Sequence, residues 1–282
     1  MVLESLTNPL IAEKRPYEMF FVGLLYASVA LFLALWIFKD EASLVMVFLI
    51  VVASLPLIHN TLRYEEKKDM TIHNEGTLLK EHSKALSYFI FLFLGFLVAL
   101  AILYVFLPSD IVQLSFDTQV KTINAINARI TGMGISNTLF MQILSNNIKV
   151  LLFSILFSFF YGAGAIFILA WNASVIAVAV GNFVRNNIGS YAESVGLVQV
   201  GGYFHIFSVG LLRYMIHGVP EILGYFVGAL AGGIISVAVS KHDLNTKEFK
   251  HIVLDSVDLI LLALLILVVA ALMEVYITPA LF

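Results

Sequence analysis

His217–Ser240 reads HGVPEILGYFVGALAGGIISVAVS. From Ile222 onward this stretch carries no charged residue. A hydrocarbon core of roughly 30 Å needs about 20 apolar residues in a helix, and Val219–Ser240 supplies such a run. Within a bilayer only helices and closed barrels satisfy their own backbone groups, and a run of this length is helical. The stretch opens on an ionisable pair, His217 and Glu221, separated by Gly218, Val219 and Pro220. Charge at membrane depth is costly and calls for a partner or a task.

The rest of the chain extends this pattern. Its 282 residues are 60% hydrophobic and 12% charged, with a mean hydropathy of +0.96. Soluble domains carry about 25% charged residues. The composition therefore specifies an all-α polytopic transmembrane helix bundle. Lys and Arg form no patch of the kind that binds nucleic acid. Cysteine is absent, which removes disulfides, thiolate catalysis and zinc–thiolate sites together. Met1–Glu18 carries acids and bases without an early apolar core, so the sequence predicts no signal peptide.

Hydropathy predicts about six full spans plus a partial or re-entrant helix. Tyr17–Phe38 and Ser43–Ile58 form a hairpin around Lys39-Asp40-Glu41. His59–Lys84 reads as a polar loop, followed by the span Leu86–Leu107 and Pro108. Residues 1–107 thus form an N-terminal three-span region. Residues 108–147 are too polar to span. Phe116, Val120, Ile123, Ile126 and Ile130 recur there at near-helical spacing, which predicts an amphipathic helix on the membrane surface or bundle. Gly132-Met133-Gly134 is its expected end. The C-terminal region, 148–282, contains the span Ile148–Ala170 and the short run Trp171–Val184, either a crossing or one arm of a broken helix. The polar loop Arg185–Gly202, the short run Tyr203–Ile216, the span Val219–Ser240, the charged loop Lys241–His251 and the span Asp255–Ile277 follow.

Lys and Arg orient this map. The His59–Lys84 segment holds Arg63, Lys67, Lys68, Lys80 and Lys84, and the segment Lys241–His251 holds Lys241, Lys247 and Lys250. The positive-inside rule places both in the cytoplasm. A multi-pass protein of the cell membrane follows, with a cytoplasmic N-terminus and an extracytoplasmic C-terminus. Parity then makes Tyr203–Ile216 an incomplete segment, re-entrant or interfacial, buried against protein.

This topology draws several polar residues to one outer layer. Asn146 and Asn147 open the fourth span, His217 and Glu221 open the next-to-last, and Glu274 lies near the end of the last. Pro220 disfavours a helix interior and suits a first turn, which predicts a helix restart at Val219 or Pro220. Glu221 then lies near a favourable helix dipole. His205, Val209, Arg213 and His217 are four apart, so Arg213 is a candidate partner for Glu221 or Glu274. Asn172 and His205 are further members of the candidate cluster. His217, Glu221 and Glu274 suit several divalent ions, zinc included, yet no dense ligand motif assigns a metal. No motif assigns a cofactor. Ser145 and Ser208 are available nucleophiles, although serines in membrane helices commonly mediate packing. Gly224, Gly228 and Gly232 form a small-residue stripe, either an intramolecular seam or a homodimer face.

Asn146-Asn147 before an apolar helix, Gly162-Ala163-Gly164, Trp171-Asn172, the His217–Glu221 motif and its glycine stripe occur in one order. That arrangement resembles the stage II sporulation protein M family of integral membrane proteins, over Gln142 to about Ser240, with Glu274 as an extension. Family members commonly have Asn-Gly where this chain has Asn172-Ala173. The resemblance implies a membrane partner for other envelope proteins. The namesake is associated with cell-wall hydrolases during engulfment, whereas relatives also occur in organisms without spores, archaea included.

Three functional expectations follow. The first is a non-enzymatic scaffold in an envelope-associated complex, with the bilayer and other membrane proteins as partners. The second is an ion- or proton-coupled transporter or channel-like protein using the His/Glu cluster. The third is an intramembrane hydrolase with Glu221 or Glu274 as general base.

Overall fold

The computed structural model describes residues 8–72, 74–130, 136–158, 163–188, 197–241 and 246–281. These residues are almost wholly helical and include no strand. In chain order the helices are α1 (Pro9–Lys14), α2 (Glu18–Ile37), α3 (Ala42–Thr71), α4 (Glu75–Phe106), α5 (Ser109–Ile130), α6 (Ser136–Ser158), α7 (Ala163–Asn187), α8 (Leu197–Lys241), α9 (Lys247–Leu272) and α10 (Thr278–Leu281). A 3-10 turn, Lys39–Glu41, joins α2 to α3, and a π-helical turn, Met273–Ile277, joins α9 to α10. Seven helices, α2, α3, α4, α6, α7, α8 and α9, are long and apolar enough to cross a membrane. The all-α polytopic bundle is therefore the architecture of this chain.

Local expectations change in four places. The predicted restart at Val219 or Pro220 does not occur, because α8 runs unbroken from Leu197 to Lys241 with Pro220 inside it. Tyr203–Ile216 is part of that helix and not a separate re-entrant piece. Pro220 costs only the bond to the Ile216 carbonyl, a loss that packed membrane helices tolerate. Secondly, Ile148–Ala170 and Trp171–Val184 are not the two crossings. The helices are instead α6 and α7, with Trp171 well inside α7. Apolar residues continue across the boundary between them, so hydropathy carried no punctuation there.

Thirdly, His59–Lys84 is not a loop. Helices α3 and α4 run through it, one ending at Thr71 and the other starting at Glu75. Asn74 caps α4 by accepting from the Thr77 amide at 3.0 Å. Fourthly, the polar 108–147 stretch divides. Its first part is the expected amphipathic helix α5, whereas residues from Ser136 onward belong to the membrane helix α6. The expected end at Gly132-Met133-Gly134 lies outside the described residues, as does Gly162.

Helix α5 lies against α3 and α7 through its apolar face. Phe116 is fully buried there. Gln119 donates to the Ser43 carbonyl at 3.1 Å and to Ser174 at 3.2 Å, and Thr118 hydrogen-bonds Ser43 at 2.7 Å. Arg185 closes the nearby end of α4 by donating to the Leu107 carbonyl at 2.6 Å, its guanidinium 5.3 Å from the Tyr104 ring centre.

Close approach of helices is set by glycines. A Cβ at Gly95 in α4 would lie 2.9 Å from the Cα of Gly23 in α2, so only hydrogen at both positions permits this crossing. In the stripe on α8, a Cβ at Gly224 would press on Leu267 of α9 at 2.8 Å. One at Gly232 would meet the Ile155 carbonyl of α6 at 2.7 Å, and Gly228 faces Leu151 of the same helix. The stripe is an intramolecular seam that holds α6 and α9 against α8.

The extended ends of α3 and α4 bury an ionic network. Lys68 donates to Glu13 at 2.6 Å and to Glu65 at 2.9 Å. His82 bridges Glu65 at 2.7 Å and Asp69 at 3.0 Å. Burial pushes the Glu13 carboxyl above its ordinary value, against the pull of Lys68. Through Glu13 the short α1 is tied to the bundle.

Two stability outcomes test this packing. Gly232→Leu is expected to cost about 1–3 kcal/mol from overpacking against α6. Gly201→Ala, where an added Cβ meets open space, is expected to be near neutral. Thermal unfolding in detergent reads both, and equal melting temperatures would refute the seam. Lys68→Met is expected to cost about 3–5 kcal/mol, because it strands Glu13 and Glu65 in a buried site.

Candidate functional site

The unbroken α8 places His217 and Glu221 one turn apart on a single face. Both line a cavity of about 400 Å3 between α6, α7, α8 and the π turn. Asn146 and Asn147 enter it from α6, Asn172 from α7 and Glu274 from the π turn. Six of the residues singled out in the sequence thus share one space. The π turn at Glu274 is significant in itself. Such turns are rare, widen one helical turn by a residue, and concentrate at functional sites. Here the turn sets Glu274 and Thr278 beside α8, where Thr278 hydrogen-bonds His217 Nδ1 at 3.0 Å.

Tyr225, which sequence reasoning passed over, organises the floor of the site. Its hydroxyl lies 2.7 Å from Glu221 Oε1 and 3.0 Å from the amide of Asn147. A phenol has one proton. If Tyr225 donates it to Glu221, the Asn147 amide completes a chain by presenting its N–H to the phenol oxygen. In either orientation one polar atom of the Asn147 amide has no partner, although Asn147 is only 2% exposed. The Gln142 Oε1 is likewise buried without a partner. The sequence signal for Tyr225 was its position four residues after Glu221, on the same helical face.

A second cavity, of about 730 Å3, shares Val175, Ile176, Tyr214, His217 and Glu274 with the first. It also reaches Asn124 on α5 and Asn186 and Asn187 at the end of α7. The two cavities adjoin at these shared residues and together form a cleft with Asn124 of α5 at one end and Glu221 at the other. Arg213 lines its wider part. The expected neutralisation by Arg213 is not found. Among the described residues Arg213 makes no ion pair with Glu221 or Glu274, and its guanidinium instead lies 6.0 Å from the Phe183 ring centre. His205 is exposed on α8 and lines neither cavity. The helix-dipole argument for Glu221 also lapses, since Glu221 lies mid-helix.

Lys149 is the other residue missed. It lies on α6 within the apolar stretch Leu139–Ser158, lines the first cavity and is exposed. Among the described residues no group of three or more His, Asp or Glu side chains is arranged to hold a metal ion. Ser145 lines the cavity, but no hydrogen bond joins it to His217, so a Ser–His nucleophile is not assembled.

Tyr225→Phe tests the floor of the site. It is expected to lower stability by about 1 kcal/mol, read by thermal unfolding in detergent, by removing one contact between α6 and α8 and leaving the Glu221 carboxyl without its donor. An unchanged melting temperature would show that the Tyr225 contacts contribute nothing.

Comparison with known proteins assigns a family. The family model described as SpoIIM, Stage II sporulation protein M, matches residues 85–279. An uncharacterized protein of Methanocaldococcus jannaschii is 28% identical over 143 residues, which cover 50% of this chain and 71% of that relative. No solved structure matches. The matched span runs from α4 to the last helix and contains every cavity-lining residue named above, so this chain belongs to the stage II sporulation protein M family.

Proposed function

We propose that this family member is a transporter-like membrane protein whose cleft takes a polar, cation-bearing ligand or an ion to Glu221 and Glu274. The observation that supports it is the pair of adjoining cavities that reach from Asn124 at the α5 end to two carboxyl groups, Glu221 and Glu274, at membrane depth. Interior polar groups normally pair with each other, yet Asn147 and Gln142, which line this space, each keep a buried polar atom without a partner. The π turn at Glu274 and the unpartnered amide end at Asn147 supply groups a ligand would satisfy. By the positive-inside rule the cleft opens on the extracytoplasmic side, since the Lys/Arg-rich ends of α3 and α4 lie at the other end of the bundle.

A scaffold role in an envelope complex is the second reading. It is favoured by the contacts Tyr225–Asn147 and His217–Thr278, which tie α6 and the C-terminal helix to α8.

The two readings differ in whether the cleft is wet and open. The chain has no cysteine, so single-cysteine variants report directly. In reconstituted vesicles, Ile176→Cys is expected to react with a water-soluble, membrane-impermeant thiol reagent. Leu267→Cys, at the sealed seam with α8, is expected to stay unreacted. Protection of Ile176→Cys from the reagent, with Asn124→Cys at the mouth still labelled, would overturn the transporter-like reading in favour of the scaffold.

A further inference from the structure

The cavity is lined by two acids, Glu221 and Glu274, and one base, Lys149. Glu274 makes no hydrogen bond or ion pair among the described residues, and the same is true of Lys149. Glu221 has only the Tyr225 hydroxyl, a neutral donor. Unpaired ionisable groups at membrane depth are expensive, and a bundle free to optimise its packing would pair them or replace them. The separation of acid and base within one cavity fits a ligand that carries both an ammonium and an anion. Asn147, buried and with one amide end unsatisfied, adds a further polar contact beside Glu221.

The second observation concerns where this cavity meets its surroundings. Ser145, Asn146 and Lys149 line the cavity and are also exposed on α6. Spacings of three and four put them on one helical face. The same helix exposes Met141, Leu152, Phe153 and Leu156, each more than half accessible. Little of its apolar stretch is buried inside the bundle. The cavity thus has a polar side opening on a helix whose remaining surface suits acyl chains.

We propose that the cleft receives the headgroup of an aminophospholipid from the bilayer beside α6. The ammonium is taken by Glu221 and Glu274, and the phosphate by Lys149 with the amides of Asn146 and Asn147. The acyl chains stay outside, along Leu152, Phe153 and Leu156. This assignment rests on the reading of the cleft as a ligand site, and it names the ligand's chemistry. A quaternary headgroup lacks N–H donors for the carboxylates, and a headgroup without an amine leaves them unpaired. Discrimination between lipids of equal phosphate charge is the consequence.

The test is native mass spectrometry of delipidated protein in non-ionic detergent. It is titrated with phosphatidylethanolamine, phosphatidylglycerol or phosphatidylcholine of identical chains. Phosphatidylethanolamine is expected to bind about tenfold more tightly than either of the others, as the loss of a charge-assisted contact implies. Glu274→Gln is expected to erase the preference over phosphatidylglycerol. Lys149→Gln, a change at an exposed position, is expected to weaken both lipids alike. Thermal unfolding establishes that each variant is folded. Equal binding of the three lipids would overturn the proposal, as would unchanged binding in a folded Lys149→Gln variant. Displacement of the lipid by equimolar free phosphoethanolamine would assign the site to a soluble zwitterion and overturn the lipid source. Should these arms fail while Ile176→Cys still labels, the ligand class falls and the open cleft stands. A sealed Ile176→Cys removes both.

Discussion

Hydrocarbon offers no hydrogen bond to a polar group, and the whole structure answers to that constraint. A backbone amide or a charge left alone in it costs several kcal/mol. The backbone is satisfied by making nearly every described residue helical. Side chains are satisfied by contacts between helices, as where Gln119 reaches Ser43 and Ser174, or Arg185 covers the last carbonyls of α4. The same rule makes exceptions informative. At one end of the bundle Lys68 and His82 answer Glu13, Glu65 and Asp69 within one buried network. In the cleft, Glu274 and Lys149 share a cavity and make no such contact. The two ionic regions of this chain thus differ in character: in one the acids meet Lys68 and His82, and in the other Glu274 and Lys149 line one cavity without meeting.

Packing positions the open region. Membrane helices gain little from the hydrophobic effect against each other, so small residues that allow close backbone contact decide which faces meet. Gly228 and Gly232 hold α6 against α8, and Gly224 holds α9 there. Above that seam α6 and α8 enclose the cavity, with Tyr225 at the junction of seam and cavity. The glycine stripe and the His217–Glu221 motif are therefore parts of one device. The stripe sets the helix separation, and the separation sets what the motif faces.

Much of this was legible in the residues. The bundle class, the amphipathic α5, the polar set around Glu221 and Glu274, and the glycine stripe follow from hydropathy and from spacings of three and four. What misled was local punctuation. Gly218 and Pro220 read as a helix break, yet one missing hydrogen bond did not outweigh the packing of a long apolar helix. The reverse happened after Ser158, where an unbroken apolar run concealed the boundary between α6 and α7. His59–Lys84 read as loop because its charges are many, although those charges pair at helical spacing and across α3 and α4.

By itself the sequence determined that this chain lives in a membrane, spans it with helices, and carries histidine and carboxylates at depth. Those properties are additive over short windows, so composition and period carry them. Tertiary structure alone decided that His217 and Glu221 share one continuous helix, that Arg213 turns to Phe183 instead of the acids, and that Lys149 and Tyr225 belong to the site. Each of those depends on which faces of distant helices meet. That is set by the separation of helix axes at glycines and by a π turn at Glu274, neither of which leaves a trace in hydropathy.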